Sequence, residues 1–438
     1  MEIAVFLGIL LLLLIIGTHI GVALGASALV ILLLYQETSL DIIAQQTFQS
    51  ANSYAIAAIP FFILAGDIIM KGDLAKRVLD FTDIILRKVH GGTAIAAMFV
   101  SVFFSAVSGS SAASAAAIGK NLVQVMGERG YPKKFIAGLV ATGGTLGLLI
   151  PPSLSFILIG SMIGVPIIDL FTAGIVPGIM QAVMLIILTW WLCKRNKWET
   201  TAKEVSAAAE TIDTTSKPTG RHTALSQFKS SSGVLLLPVL ILGGIYLGFF
   251  TPTEVSAVAV IYAAILAVFI YKAIKVKDLW SISRGALLQS GMIYLILIGG
   301  ALTAFMLKSL GLTNGIIAMI ADLGLQPWQF LIIVNILLLF LGLFLDGITV
   351  IALVTPILFP VAIASGIDPI HFAVIVTMNI EIATLTPPVG LNLFVMSGLT
   401  KMPIQEVAKG VGPYYIVMFV SLILVTYFPQ ISLILFNL

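Results

Sequence analysis

Thr142-Gly143-Gly144-Thr145-Leu146-Gly147-Leu148-Leu149-Ile150-Pro151-Pro152-Ser153 and Ile382-Ala383-Thr384-Leu385-Thr386-Pro387-Pro388-Val389-Gly390 are two versions of one pattern. Each sets a proline pair among small and hydroxyl residues inside an apolar run. Proline lacks the backbone N–H, and its ring clashes with the preceding turn, so it opens a helix. Inside a bilayer such a break survives only where protein or a water-filled cavity takes up the freed polar groups. Both stretches therefore read as broken helices that line a binding site.

The surrounding sequence supplies the bilayer. The chain has 438 residues, 59% of them apolar and 10% charged, against about 25% charged in a soluble domain. Its mean hydropathy is +1.11. Apolar runs recur from Phe6 to Phe436, separated by short polar segments. They do not alternate in polarity as barrel strands do, so the expected class is an all-α polytopic membrane protein. Met1-Glu2 leads straight into apolar sequence with no basic n-region, which reads as a first transmembrane segment and not as a cleaved signal. The single cysteine, Cys193, leaves no internal disulfide and no cysteine-based metal cluster. A net charge of +3, concentrated in a few loops, gives no basis for a nucleic-acid role.

Spans are expected over 4–35 (one long or two short), 55–70, 93–127 with an interruption at Ser105–Ser114, 134–163 with the first proline pair, and 167–193. Gln36 to Tyr54 reads as a polar stretch. Lys71 to His90 is charged but periodic, with Leu74, Val78, Phe81 and Ile85 on one face, which suits an amphipathic interfacial helix. Residues 196–232 are hydrophilic and rich in Ser, Thr and Ala, and read as a flexible linker. Their excess of Lys and Arg places the linker in the cytoplasm. The second half, 233–438, carries spans near 233–250, 255–271 and 286–308, an interrupted pair near 328–364, the second proline pair within 371–400, and a last span over 411–436.

The halves, 1–195 and 233–438, are related. Pro387 follows Pro151 by 236 residues, and the same offset matches Gly130 with Gly366, Pro152 with Pro388, Gly174 with Gly410 and Pro177 with Pro413. Loop charge differs between the copies. Lys71, Lys76, Arg77, Arg87 and Lys88 face only Lys308 in the equivalent 308–327 loop. Arg129, Lys133 and Lys134 correspond to a loop around Asp368 without Lys or Arg. Lys272, Lys275, Lys277 and Arg284 have no basic counterpart near 36–54. By the positive-inside rule, equivalent loops lie on opposite sides. Two inverted-topology repeats, each with a broken helix, are the signature of a secondary transporter with a midplane site.

About forty residues before each proline pair lies a second interruption. It is Ser105-Ala106-Val107-Ser108-Gly109-Ser110-Ser111-Ala112-Ala113-Ser114 in one half and Leu345-Asp346-Gly347-Ile348-Thr349 in the other. Each suits the tip of a re-entrant helical hairpin, near 93–127 and 328–364. Hydroxyls and released carbonyls are hard oxygen ligands for an alkali cation, and half-helix ends add partial charge. The plainer alternative is that small residues here only let helices pack closely. Asp346 sits at the second tip, where a carboxylate is costly unless it binds something. Asp67 and Glu381 read either way, and Glu254, after Pro252, reads as a helix cap. His19 and His371 read as structural. No HExxH, Walker A or G-x-S-x-G pattern points to an enzyme.

Four motifs together resemble a known family: Ser108-Gly109-Ser110-Ser111-Ala112, Gly147-Leu148-Leu149-Ile150-Pro151-Pro152-Ser153, Gly248-Phe249-Phe250-Thr251-Pro252-Thr253-Glu254 and Thr386-Pro387-Pro388-Val389-Gly390-Leu391-Asn392-Leu393. Over essentially the whole chain the sequence is similar to the large membrane subunit of tripartite ATP-independent periplasmic (TRAP) transporters. One departure is Ala383, where the family often has glycine. The resemblance implies an elevator-type, sodium-driven importer of an organic acid such as a C4-dicarboxylate or sialic acid, in the bacterial inner membrane. Sodium is then the coupling ion, and no other cofactor is expected. It implies two partners, a small four-helix membrane subunit and a periplasmic substrate-binding protein. Carried over residue by residue, the sodium ligands would be Ser105, Ser108, Gly147, Ile150 and Pro151 in the first half. In the second half they would be Gly347, Ala383, Thr384, Thr386 and Pro387. Substrate would lie between the tips, near Ser108, Ser110, Ser153 and Asp346. A stand-alone sodium- or proton-coupled symporter of related architecture is the alternative within transport. An intramembrane enzyme using Asp67, Asp346 and Glu381, or a passive channel, would stand outside that class.

Overall fold

The computed structural model describes residues 1–72, 74–86, 89–198 and 224–436, and those residues form helices and turns with no strand among them. The first half runs α1 (Glu2–Ile15), α2 (Ile20–Leu34), α3 (Leu40–Ala51), α4 (Ala58–Lys71), α5 (Leu74–Leu86), α6 (Gly92–Ser108), α7 (Ser111–Glu128), α8 (Lys133–Thr145), α9 (Leu154–Ile163) and α10 (Ile167–Asn196). The second half runs α11 (Ala224–Tyr246), α12 (Pro252–Ala264, continued as a π-helix over Ile265–Ile270) and α13 (Val276–Ser309). Then come α14 (Leu312–Asp322), α15 (Pro327–Gly342), α16 (Gly347–Ala364), α17 (Pro369–Ala383), α18 (Leu391–Thr400), α19 (Ile404–Tyr427) and the short α20 (Gln430–Leu433).

The helices pair off along the chain. The hairpin arms α7 and α16 are both 18 residues long and begin at Ser111 and Gly347, which are 236 apart, the offset of the proline pairs. α8 and α17 also begin 236 apart, at Lys133 and Pro369, whereas α9 and α18, and α10 and α19, begin one residue further apart; α10 and α19 carry internal prolines, Pro177 and Pro413, at the offset of 236. One place departs from the pairing. Positions 40–71 form two helices, α3 and α4, whereas the corresponding stretch lies within the single 34-residue α13.

Several boundaries differ from expectation. The polar stretch 36–54 contains α3, because its apolar residues recur at helical spacing over Leu40, Ile43 and Phe48. The equivalent of the basic 71–90 segment is itself a helix, α14, and not a loop. Of the linker, residues 199–223 lie outside the described residues, and α11 begins at Ala224, ahead of the expected Gly233. The amphipathic helix is present as α5, and Leu74, Val78 and Leu79 form its buried side. Ile85, assigned to that side by periodicity, is 55% exposed. Each 18-residue hairpin arm is about 27 Å long, close to the roughly 30 Å hydrocarbon thickness, so an arm is longer than a shallow re-entrant loop requires.

Among the described residues, five helices are long and apolar enough to cross a membrane: Ile167–Asn196, Pro252–Ile270, Val276–Ser309, Gly347–Ala364 and Ile404–Tyr427. The outside is apolar as well, with Ile15 83% and Trp280 79% exposed. Soluble monomers rarely expose such surface widely, whereas lipid tails accept it. In that setting burial of apolar area drives helix association weakly, and close backbone packing replaces it. The clearest case joins the two halves where α8 crosses α19. A Cβ placed on Gly138 would overlap the Gly410 carbonyl, and one on Gly410 would overlap the Lys134 carbonyl. Only glycine at both positions permits this approach.

Candidate functional site

In the first half the break in the helix begins with the prolines. An α-helical Pro151 N–H would have bonded the carbonyl four residues back, that of Gly147, and Pro152 would have bonded Leu148. Neither bond can form. α8 ends at Thr145 and tightens into a 3-10 turn over Leu146–Leu148. Ser153 then caps α9, accepting from the Phe156 N–H at 3.4 Å, while its hydroxyl donates to the orphaned Leu148 carbonyl. The Pro151–Pro152 peptide bond is cis, as is Pro387–Pro388.

The tip of the first hairpin packs onto this break. The Ser105 hydroxyl donates to the Gly144 carbonyl and accepts from the Gly147 N–H at 2.9 Å. A Cβ on Gly147 would overlap both the carbonyl and the hydroxyl of Ser105, so glycine is needed for the contact. The Ser108 hydroxyl turns back into the tip, toward the Ser110 carbonyl at 3.2 Å, the Ser105 carbonyl at 3.4 Å and the Ser114 hydroxyl. Ser105, Ser108 and Gly147 are buried, and Ile150 and Pro151 follow directly on the break. Ser105, Ser108 and Gly147 thus meet in one knot of hydroxyls and backbone carbonyls, with Ile150 and Pro151 next along the chain. That donor set, oxygen-rich and uncharged, fits a monovalent hard cation.

The second half has a similar arrangement with other polar groups. Pro387 deprives the Ala383 carbonyl of its helical partner, and Pro388 deprives Thr384. The chain answers with 3-10 bonds, Leu385 N–H to Ile382 and Thr386 N–H to Ala383, at 3.1 and 3.0 Å. The hydroxyls of Thr384 and Thr386 donate back to the carbonyls of Glu381 and Ile382, each at 2.7 Å. The hairpin tip again meets the break: the Val389 N–H donates to Leu343 O at 3.2 Å, and a Cβ on Gly342 would overlap that of Ala383. Gly347 packs against Ile380, one turn before Thr384. No serine of this tip reaches the break, because Leu341 and Phe344 stand where the first half has Ser105 and Ser108.

Three of the residues assigned to substrate, Ser108, Ser153 and Asp346, have their side chains engaged within the protein. Asp346 caps α16, accepting from the N–H groups of Ile348 and Thr349 at 3.1 and 3.3 Å and from the Thr349 hydroxyl. It stands 236 positions after Ser110, which occupies the N-cap of α7. The capping explains how a half-buried carboxylate is satisfied. Ser153 is fully buried. Away from these residues, a cavity of about 690 Å³ lies between the α9–α10 turn, the α11–α12 turn and Ser53-Tyr54-Ala55, and none of the assigned residues lines it.

Three other polar groups stand out. Glu254 caps α12 in a reciprocal box with Thr251, as its sequence context suggests. Glu381 is fully buried, with Oε2 accepting from Gln181 Nε2 at 2.8 Å and Oε1 without a partner among the described residues. Asn392 is the residue that motif reading passed over as a site. Its Oδ1 accepts from the Ser111 hydroxyl at 2.8 Å, and its Nδ2 donates to the Ala141 carbonyl at 2.9 Å. It was legible only as a buried amide inside the second proline motif, a signal with no partner attached.

Comparison with known proteins adds the ancestry. Residues 7–431 match the family model described as the DctM component of the tripartite ATP-independent periplasmic transporter. The C4-dicarboxylate TRAP transporter large permease protein DctM of Rhodobacter capsulatus is 37% identical over 100% of this chain and 99% of its own length. The sialic acid TRAP transporter large permease protein SiaM of Vibrio cholerae is 30% identical over 96% of this chain and 95% of its own. Among solved structures, the crystal structure of the Alcanivorax borkumensis YdaH transporter superposes with a TM-score of 0.66 over 98% of both chains at 13% identity, a likeness of fold alone.

Proposed function

The chain belongs to the DctM component family of tripartite ATP-independent periplasmic transporters, and from that premise we propose that it is the large permease of a sodium-coupled importer of an organic acid. The observation that carries the proposal is the clasp between hairpin tip and broken helix, Ser105 with Gly147, together with its second version around Ala383 and Thr384. Sodium would bind among Ser105, Ser108, Gly147, Ile150 and Pro151, and among Gly347, Ala383, Thr384, Thr386 and Pro387. Binding there tightens each tip against its break and shapes the space between the tips, near Ser108, Ser110, Ser153 and Asp346, for a carboxylate. The two hairpins and broken helices, related by inverted topology, then move as one body past the remaining helices in an elevator cycle, with the gradient as the energy source.

The substrate is an organic acid of the classes named for the relatives, a C4-dicarboxylate or sialic acid. A small four-helix membrane subunit would extend the fixed helices, and a periplasmic binding protein would deliver substrate to the permease in the bacterial inner membrane. The test is uptake by proteoliposomes that hold this chain with its small subunit, supplied with loaded binding protein. Uptake should require an inward sodium gradient and collapse when the gradient is dissipated by an ionophore. Equal uptake with and without the gradient overturns the sodium coupling, and full uptake without binding protein overturns the tripartite assembly.

A further inference from the structure

The two cation sites of the proposed function lie on separate halves, yet one buried side chain joins them. Asn392 has no exposed surface and belongs to the first turn of α18, just past the second proline pair. Its side chain reaches entirely into the other half. Oδ1 takes the Ser111 hydroxyl at 2.8 Å, the first helical residue after the tip of hairpin α6–α7. Nδ2 gives a hydrogen bond at 2.9 Å to Ala141 O on α8, one turn before Gly144, whose carbonyl accepts from Ser105. Its backbone N–H meanwhile donates at 3.1 Å to the Thr384 carbonyl, the group that Pro388 leaves without a helical partner.

The first half has no amide there: Phe156 stands 236 residues earlier, Ser155 is the second residue of α9 as Asn392 is of α18, and the orphaned Leu148 carbonyl is taken up locally by Ser153. The second break is thus completed by a residue whose side chain is held by the first site. A buried hydrogen-bonded amide with both ends engaged has one satisfied geometry; displacing it leaves the Ser111 hydroxyl and the Ala141 carbonyl unpaired and frees the backbone whose N–H holds the Thr384 carbonyl. Resting on the sodium reading above, we propose that Asn392 is a positioning residue that couples the two cation sites, so that closure of the first tip sets the Thr384 carbonyl for the second cation. Coupling between sites is reciprocal, so occupancy of the second site stabilises the first tip equally.

The test is the sodium dependence of uptake in the complete reconstituted system, fitted for half-saturating concentration and Hill coefficient. Wild-type protein should show a Hill coefficient above unity. Asn392→Ala should bring it to unity and raise the half-saturating sodium concentration by roughly five- to tenfold. Ser111→Ala removes only the hydroxyl that holds Oδ1 and should shift both in the same direction by less, which keeps the test open if Asn392→Ala fails to fold. A folded variant with lower maximal uptake but the wild-type Hill coefficient and half-saturation marks Asn392 as mere packing and overturns the inference. Uptake by wild-type protein that ignores sodium overturns the sodium reading and the coupling with it, and the two failures are told apart by the wild-type curve alone.

Discussion

At Gly147 and Ser105 the contact between hairpin tip and helix break rests on a missing methyl group and one hydroxyl. Gly147→Ala puts a Cβ into the Ser105 carbonyl and hydroxyl, and neither backbone can retreat without opening the tip. Sodium-driven uptake by that variant should be lost while the protein still purifies as a folded species; wild-type half-saturation by sodium would remove the first site from this place. Ser105→Ala acts differently. It leaves the buried Gly147 N–H without its acceptor, at a cost of about 1–3 kcal/mol. The expected readout is a lower thermal midpoint together with weaker sodium activation, and an unchanged midpoint would mean that the bond is replaced. The same residue-scale logic explains what motif reading could see. Proline and glycine act on their own backbone, so their effect is written where they stand. Asn392 acts through partners that its neighbours in sequence do not reveal.

At the scale of the element, the broken helix is a device made by subtraction. Replacing Pro151 and Pro152 together by Ala returns two N–H groups and allows the carbonyls of Gly147 and Leu148 to resume helical bonds. The variant should keep its helical circular dichroism and lose uptake. Retained uptake would show that the break itself is dispensable. A second element-scale feature ties the amphipathic helix to the first hairpin. Arg129, just after α7, meets Asp83 of α5 through two bonds of 2.6 and 2.9 Å, and Thr93 at the start of α6 donates to Asp83 at 3.1 Å. The carboxylate holds the Arg129 guanidinium above its ordinary range, through the hydrogen bond first. At the offset of 236 the second half has Met319, Gln329 and Ser365, which cannot form the pair. Because both ionic partners are partly exposed, at 20% and 38%, a double-mutant cycle of Asp83→Asn with Arg129→Gln should return about 1 kcal/mol or less of coupling energy. A coupling of several kcal/mol would mean that the pair is desolvated in the membrane-embedded protein.

At the scale of the molecule the two halves are held by contact between backbones. Gly138 and Gly410 let α8 and α19 cross with no side chain between them, and either Gly→Leu change should prevent the halves from closing. The expected result is loss of the monodisperse species in detergent, and a stable, active Gly138→Leu protein would show that this crossing yields. The all-helical membrane class was legible beforehand, and so was where α8 and α17 end, because hydropathy over a bilayer thickness and proline chemistry are local properties of the chain. α3 and α14 were not, since short helices flanking a membrane lack the long apolar run that marks a span. Nor was the engagement of Asp346 as a helix cap, which depends on where α16 begins.

The sequence by itself determined that this chain is a polytopic helical membrane protein and where proline interrupts its apolar runs. It could do so because composition, periodicity and the absent proline N–H act within a few residues. Only the tertiary structure decided which interruptions touch. Ser111 and Asn392 are 281 residues apart in the chain, and Asn392 and Ala141 are 251 apart. No local rule links positions so distant; their pairing follows from how the helices of both halves pack.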